Sequence, residues 1–237
     1  MKILYSRFYK RIKLTLFTKS LDSIKYVYFS NSLNIIRRVV DIFIIKYKYN
    51  NRFLKNKENF LKIHLGCGSI HFPRYINIDY KKTKATDYVC DCIRLPFQND
   101  SVELIETYHM VEHLLKNDFL KALQNWWKKL IPGGKIIIEC PNFDKTIKEY
   151  LDGNESRINN VYGLQRYDKD VHLYGYNFSR MKKILEECGY ENIKEMDPQD
   201  YHRLDEPCMR VEANKKVVNI NKRGELYGWY KREKEGS

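Results

Sequence analysis

Lys62-Ile63-His64-Leu65-Gly66-Cys67-Gly68 is the stretch on which the reading of the whole chain turns. Ile63 and Leu65 alternate with polar neighbours, as a short strand requires, and the run ends in two glycines that let backbone approach a ligand without a Cβ in the way. Working outward, Tyr75-Ile76-Asn77-Ile78-Asp79 alternates and ends in an acid, Asp87-Tyr88-Val89-Cys90-Asp91 does the same, and residues 102–108 form a fourth apolar run. Residues 118–130 carry Phe119, Leu120, Leu123, Trp126, Trp127 and Leu130 at helical spacing. Pro132-Gly133-Gly134 predicts a turn into a buried strand over 135–140. Helices are predicted over 145–151 and from a cap at Asn177 or Ser179 to Cys188, with Gly189 as the stop; strands are expected over 192–196 and 208–214. Strands alternating with helices give an α/β fold with a doubly wound, mostly parallel sheet.

The chain has 237 residues and a net charge of +13. Residues 1–58 hold 14 Lys or Arg against 3 Asp or Glu, leaving 29 against 27 for the remainder. The basicity therefore belongs to the N-terminal quarter and points to an anionic partner, a membrane surface or a nucleic acid. Three parts follow: a basic extension over 1–60, a catalytic candidate domain over 61–215, and a polar tail over 216–237. Within the extension Ile36, Val39, Val40, Phe43 and Tyr47 fit one helix face, although the β-branched content leaves a strand open. Such a helix can lie on an anionic membrane or pack on the domain or a second subunit. Arg7, Lys10, Arg11, Lys13 and Lys19 interrupt any signal-like apolar core, and no apolar run approaches the ~20 residues of a membrane span. The six cysteines show no C-x-x-C pair, which predicts reduced thiols and a cytoplasmic protein, peripheral at the inner face of the membrane if the basic segment binds there.

In an open parallel sheet ligands sit beyond the carboxyl ends of the strands. Four such ends carry suitable groups: Gly66-Cys67-Gly68, Asp79, Asp91 and Tyr108-His109. Asp79 suits a pair of ribose hydroxyls. Asp91 suits an adenine amino group, with Cys92 and Ile93 beside it.

Taken in order, Ile63 to Gly68, Tyr75 to Asp79, Val89-Cys90-Asp91 with Leu95-Pro96-Phe97, Val111-Glu112-His113-Leu114 and Leu130 to Gly134 closely resemble the class I S-adenosylmethionine-dependent methyltransferases. Within these the set looks like the type-11-like branch associated with bacterial surface-polysaccharide biosynthesis. The resemblance implies a Rossmann-like sheet whose last strand is antiparallel, S-adenosylmethionine as cofactor, and a small-molecule or glycan acceptor. It implies that Leu65, Gly66, Cys67 and Gly68 pass the methionine part, that Asp79 binds the ribose, that Asp91, Cys92 and Ile93 flank the adenine, and that Tyr108 and His109 face the sulfonium and the acceptor. Only 13 residues separate Gly66 from Asp79, so the first crossover is expected to lack a full helix.

Two other readings compete for the same residues. His109-Met110-Val111-Glu112-His113 spells the H-x-x-E-H pattern of zinc proteases, but no third ligand stands out downstream, and the sequence reading assigns no metal. Nucleic-acid methylation, the alternative to sugar O-methylation, draws on the basic N-terminus. Against it, Thr107-Tyr108-His109-Met110 is not the Asn/Asp-Pro-Pro-Tyr/Phe of adenine amino-methylases. A non-catalytic cofactor-binding module stays open. For a hydroxyl acceptor a general base is needed; His109 is the first candidate, and His172, oriented by Asp170, is the second.

Overall fold

A computed structural model describes residues 60–217. The predicted N-terminal stripe, the interior of the basic extension and most of the polar tail lie outside the described residues. Seven strands form one sheet: β1 (Leu61–Leu65), β2 (Ile76–Asp79), β3 (Tyr88–Val89), β4 (Val102–Tyr108), β5 (Leu130–Pro141), β6 (Tyr190–Met196) and β7 (Cys208–Lys215). Their order is β3-β2-β1-β4-β5-β7-β6, reversing direction at the β1/β4 junction. The pairs from β3 to β5 are parallel, and β7 runs antiparallel to both β5 and β6. This is the expected α/β Rossmann-like sheet with an antiparallel last strand.

Among the described residues four α-helices accompany it: α1 (Lys116–Lys129), α2 (Phe143–Leu151), α3 (Ile158–Tyr162) and α4 (Phe178–Glu187). In α1 the buried residues Phe119, Ala122, Leu123 and Trp126 recur at i, i+3, i+4 and i+7, while Asp118 in the first turn and Lys128 and Lys129 in the last complement the helix dipole. Asn142 caps α2 by accepting from the Lys145 N–H, and Asn177 caps α4 by accepting from the Arg180 N–H. The alternative cap at Ser179 is therefore inside the helix.

One expected turn is replaced. Pro132-Gly133-Gly134 lies within β5, whose pairing with β4 jumps from Val102–Leu130 to Leu104–Lys135. The three residues form a bulge that absorbs the register shift, with Gly133 at φ +78°. The crossover from β1 to β2 contains no helix, as its length dictates, and those from β2 to β3 and β3 to β4 contain none either.

Register pairs sort the sheet into two unlike faces. Ile63, Leu65, Ile76, Ile78, Ile105, Ile136, Ile138, Val211 and Ala213 share one face and are all essentially buried. Here α1 contacts β5, and α4, with Met181, Ile184 and Leu185 buried, contacts β6 and β7. The other face carries His64, Asn77, Asp79, Glu106, Tyr108, Glu139, Arg210 and Glu212, buried or half-buried, and joined by hydrogen bonds. Tyr75 and Tyr108 each donate a hydroxyl to Glu106 at 2.8 Å, Arg210 reaches Glu139 and Glu212 at 2.9 Å, and His64 Nδ1 meets Asn77 Oδ1 at 3.1 Å. Loops cover its carboxyl end: the Phe72 ring stacks on His64 at 4.0 Å, and the Gln199 and Asp200 N–H groups donate to Glu139 Oε1.

Candidate functional site

The site assembles at the carboxyl ends of β1, β2 and β4. Gly66 and Cys67 donate their N–H groups to the Ile78 carbonyl at 2.9 and 3.0 Å, locking the β1 loop to β2. Asp79, 8% exposed, accepts from the Gly68 N–H on Oδ2 at 2.9 Å and from the Lys81 N–H on Oδ1 at 2.8 Å. Each carboxylate oxygen keeps a further lone pair for a ligand hydroxyl. Gly66 has φ +70°, and a Cβ there would come 2.5 Å from Met110 Cγ; beside Gly68, at φ +50°, a Cβ would meet nothing within 4 Å. The loop is thus tight on its Met110 side and open at Gly68, next to the Asp79 carboxylate.

Asp91 is exposed and accepts from the Ile93 N–H at 2.9 Å, so it shapes its own turn as well as standing at the third strand end. Cys92 donates its S–H to Met110 Sδ at 3.9 Å, and its carbonyl accepts from the Trp126 indole at 2.7 Å. Burial pushes the Cys92 thiol up to about 12. Met110 therefore touches the ends of both β1 and β3, a role with no local sequence signal.

Tyr108 and His109 diverge. The Tyr108 hydroxyl is committed to Glu106, and burial together with that carboxylate keeps the phenol protonated. His109 sits at φ +46°, an unusual conformation for a non-glycine residue, and its N–H donates to the Glu139 carbonyl at 2.9 Å. Its ring lies among Glu112 (3.4 Å), Glu206 (3.3 Å), Asp200 (3.9 Å) and Cys208 (3.5 Å). Burial opposes the charged imidazole, but the adjacent Cys208 thiol and Glu112 carboxylate outweigh it and raise the pKa well above the usual histidine range. Because burial holds the Cys208 thiol protonated, the carboxylates carry this effect. These neighbours favour the charged imidazole, in which neither ring nitrogen keeps a lone pair to take a proton.

The β6–β7 connection brings residues that the sequence reading left undeciphered. His202 packs between the rings of His109 and Tyr201, each at 4.0 Å, and its Nδ1 makes a short hydrogen bond to Asp200. A carboxylate can only accept here, so Nδ1 carries a proton, and the neutral form of this imidazole has its lone pair on Nε2.

Segment 163–175 bridges the strand ends. Near β2, Lys169 Nζ lies 5.1 Å from the Tyr80 ring centroid and Lys81 Nζ 4.8 Å from that of Tyr167. After β4, the Leu173 and Tyr174 N–H groups donate to the Glu112 carbonyl at 2.7 and 3.3 Å. Asp170 does not orient His172. The Arg166 guanidinium engages its carboxylate at 2.8 and 3.2 Å and holds it below the usual range, despite burial. His172 Nδ1 instead donates to the Asn160 carbonyl at 2.7 Å.

Residues 71–138 match a family described as methyltransferase domain. Among solved structures, a possible histamine N-methyltransferase from Thermotoga maritima is 13% identical with a TM-score of 0.50, covering 79% of this chain and 98% of its own. A methyltransferase from Archaeoglobus fulgidus is 17% identical with a TM-score of 0.48, over 80% and 99% of the two chains. One from Methanosarcina mazei is 12% identical with a TM-score of 0.47, over 68% and 94%. No curated protein sequence matches. The open space at Gly68 and the spare acceptor capacity of Asp79 fit the ribose side of a nucleoside cofactor. The domain match, on a sheet of this order, supports a class I S-adenosylmethionine-dependent methyltransferase with S-adenosylmethionine as its cofactor.

Proposed function

We propose that the chain methylates a hydroxyl of a sugar or a lipid-linked glycan. The observation that carries this reading is the His202–Asp200 pair beside His109. A hydroxyl is a poor nucleophile until its proton leaves, and an imidazole whose tautomer is fixed by a carboxylate is suited to removing it. S-adenosylmethionine, when bound, supplies an electrophilic methyl carbon on a positive sulfur. In this reading Leu65, Gly66, Cys67 and Gly68 line its methionine part, Asp79 accepts from its ribose hydroxyls, and Asp91, Cys92 and Ile93 flank its adenine. Tyr108 and His109 stand at the reacting end. His202 Nε2 takes the acceptor proton, and the His109 imidazolium holds Asp200 and Glu206 in place. His202 is preferred to His109 because the carboxylates around His109 favour its charged form, and to His172 because Asp170 is held by Arg166 and does not pair with that ring. The basic residues of 1–58 support an acceptor presented at an anionic lipid surface.

Incubating the protein with methyl-labelled cofactor and, separately, lipid-linked glycan, nucleotide sugar or RNA checks the acceptor. Label is expected in a glycan fraction; label in RNA alone defeats the glycan reading, and no label in any fraction defeats catalysis. His202→Gln should lower kcat by about 10²–10⁴-fold while the cofactor Kd stays put. Unchanged kcat sinks the base assignment.

A further inference from the structure

Glu112 is 3% exposed, yet among the described residues neither of its side-chain oxygens has a hydrogen-bond partner. The His109 ring nitrogen 3.4 Å away contributes charge but lacks hydrogen-bond geometry. A buried carboxylate without hydrogen bonds carries a large desolvation cost. On its other side stand His113 and His172, and each of the three residues brings a ligand atom within 4.8 Å of the other two.

The two imidazoles are set up alike. His113 Nδ1 lies 2.9 Å from the Val171 carbonyl and His172 Nδ1 2.7 Å from the Asn160 carbonyl. A carbonyl only accepts, so both Nδ1 atoms donate, and in the neutral imidazoles Nε2 is the nitrogen that carries the lone pair. A ring N–H given to a backbone carbonyl is the arrangement that orients metal-binding histidines. Two imidazoles and one carboxylate, with a coordination position left over, suit zinc and neighbouring divalent ions. The other two clusters lack the decisive feature: in one Asp200 is already hydrogen-bonded to His202, and in the other Cys208 Sγ is engaged with His109 Nε2.

We propose that Glu112, His113 and His172 bind a divalent transition-metal ion, zinc by preference, which fastens segment 163–175 to the Val111–His113 turn after β4. The ion would give the Glu112 carboxylate the direct ligation it lacks beside its charge contact with His109, and would take up the ring nitrogens that the carbonyls leave over. Ligand atoms around a tetrahedral zinc stand roughly 3.3–3.5 Å apart, for bonds of about 2.0–2.2 Å. Closure therefore needs a contraction of at most about 1.5 Å, and half-buried His172 lies on a loop that can supply it. This also gives the His113 of the H-x-x-E-H pattern a use: the missing third ligand is His172, and His109 belongs to a different cluster. The inference stands whether or not the chain transfers methyl groups.

The full chain, stripped with a chelator, is titrated with cobalt(II) and zinc(II), with bound metal measured by elemental analysis. One equivalent is expected, with visible d–d bands of cobalt displaced by zinc. His172→Ala and the isosteric Glu112→Gln should weaken binding by more than the roughly 10–100-fold that outer-shell partners cost, whereas His202→Ala should bind as wild type does. Zinc should also slow tryptic cleavage after Arg166 and Lys169 in the wild type and not in His172→Ala. Circular dichroism verifies that each variant is folded. Failure of the wild type to bind, undiminished binding by His172→Ala, or loss of binding in His202→Ala overturns the site. Binding without tryptic protection overturns the fastening.

Discussion

At the scale of single residues, Asp79 does two jobs with one carboxylate: it holds the Gly68 and Lys81 amides and keeps lone pairs for the ribose. Asp79→Ala should therefore weaken cofactor binding by about 100-fold, two charge-assisted hydrogen bonds at roughly 1.5 kcal/mol each. Calorimetric titration reads this, and wild-type affinity in the variant would remove Asp79 from the ribose. Gly66, Gly68 and Asp79 were legible from the sequence because their roles are local: a strand end, a backbone conformation, a carboxylate one crossover away. His202 and Asp200 were not. They matter only because the β6–β7 connection returns to the end of β4, which brings residues nearly a hundred positions apart into ring contact. The Asp170–His172 pairing fails for the opposite reason. Sequence proximity suggested it, but Arg166, four positions from Asp170, is the stronger electrostatic partner.

At the scale of elements, periodicity located α1 to within two residues at its start and one at its end. Local chemistry could not tell a turn from a bulge at Pro132-Gly133-Gly134, since both need a residue with positive φ; the neighbouring strand's register decided it. Trp126 links α1 to the site, being fully buried while its indole N–H donates to the Cys92 carbonyl. Trp126→Ala is expected to cost about 3–5 kcal/mol in urea denaturation and to weaken cofactor binding by releasing the turn at Asp91-Cys92-Ile93. Trp126→Phe, which keeps most of the volume and loses the donor, should cost about 1–2 kcal/mol.

At the scale of the whole molecule, the mostly parallel sheet with an antiparallel last strand followed from the motif order, but the division of the sheet into an apolar and a hydrogen-bonded face did not. His64, Glu106, Glu139 and Arg210 read singly as interruptions of apolar runs; register places them on one face, each with its own hydrogen-bond partners. Arg210→Met should destabilise the fold by about 3–5 kcal/mol, because it strips a buried partner from Glu139 and a second from Glu212. Replacing Glu139 and Arg210 together by apolar residues should cost less than Arg210→Met alone, a non-additivity that a double-mutant cycle in urea measures.

That two-faced sheet has a kinetic consequence. Successive side chains alternate sides, so a strand that docks one residue out of step exchanges its faces completely. A one-residue slip of β5 would drive Glu139 into the hydrocarbon layer beneath α1 and turn Ile136 and Ile138 toward Glu106 and Arg210. Such mispaired sheets are costly from the first contacts. For a topology whose paired central residues Ile63 and Ile105 stand 42 positions apart, the polar face is expected to penalise slipped pairings during folding.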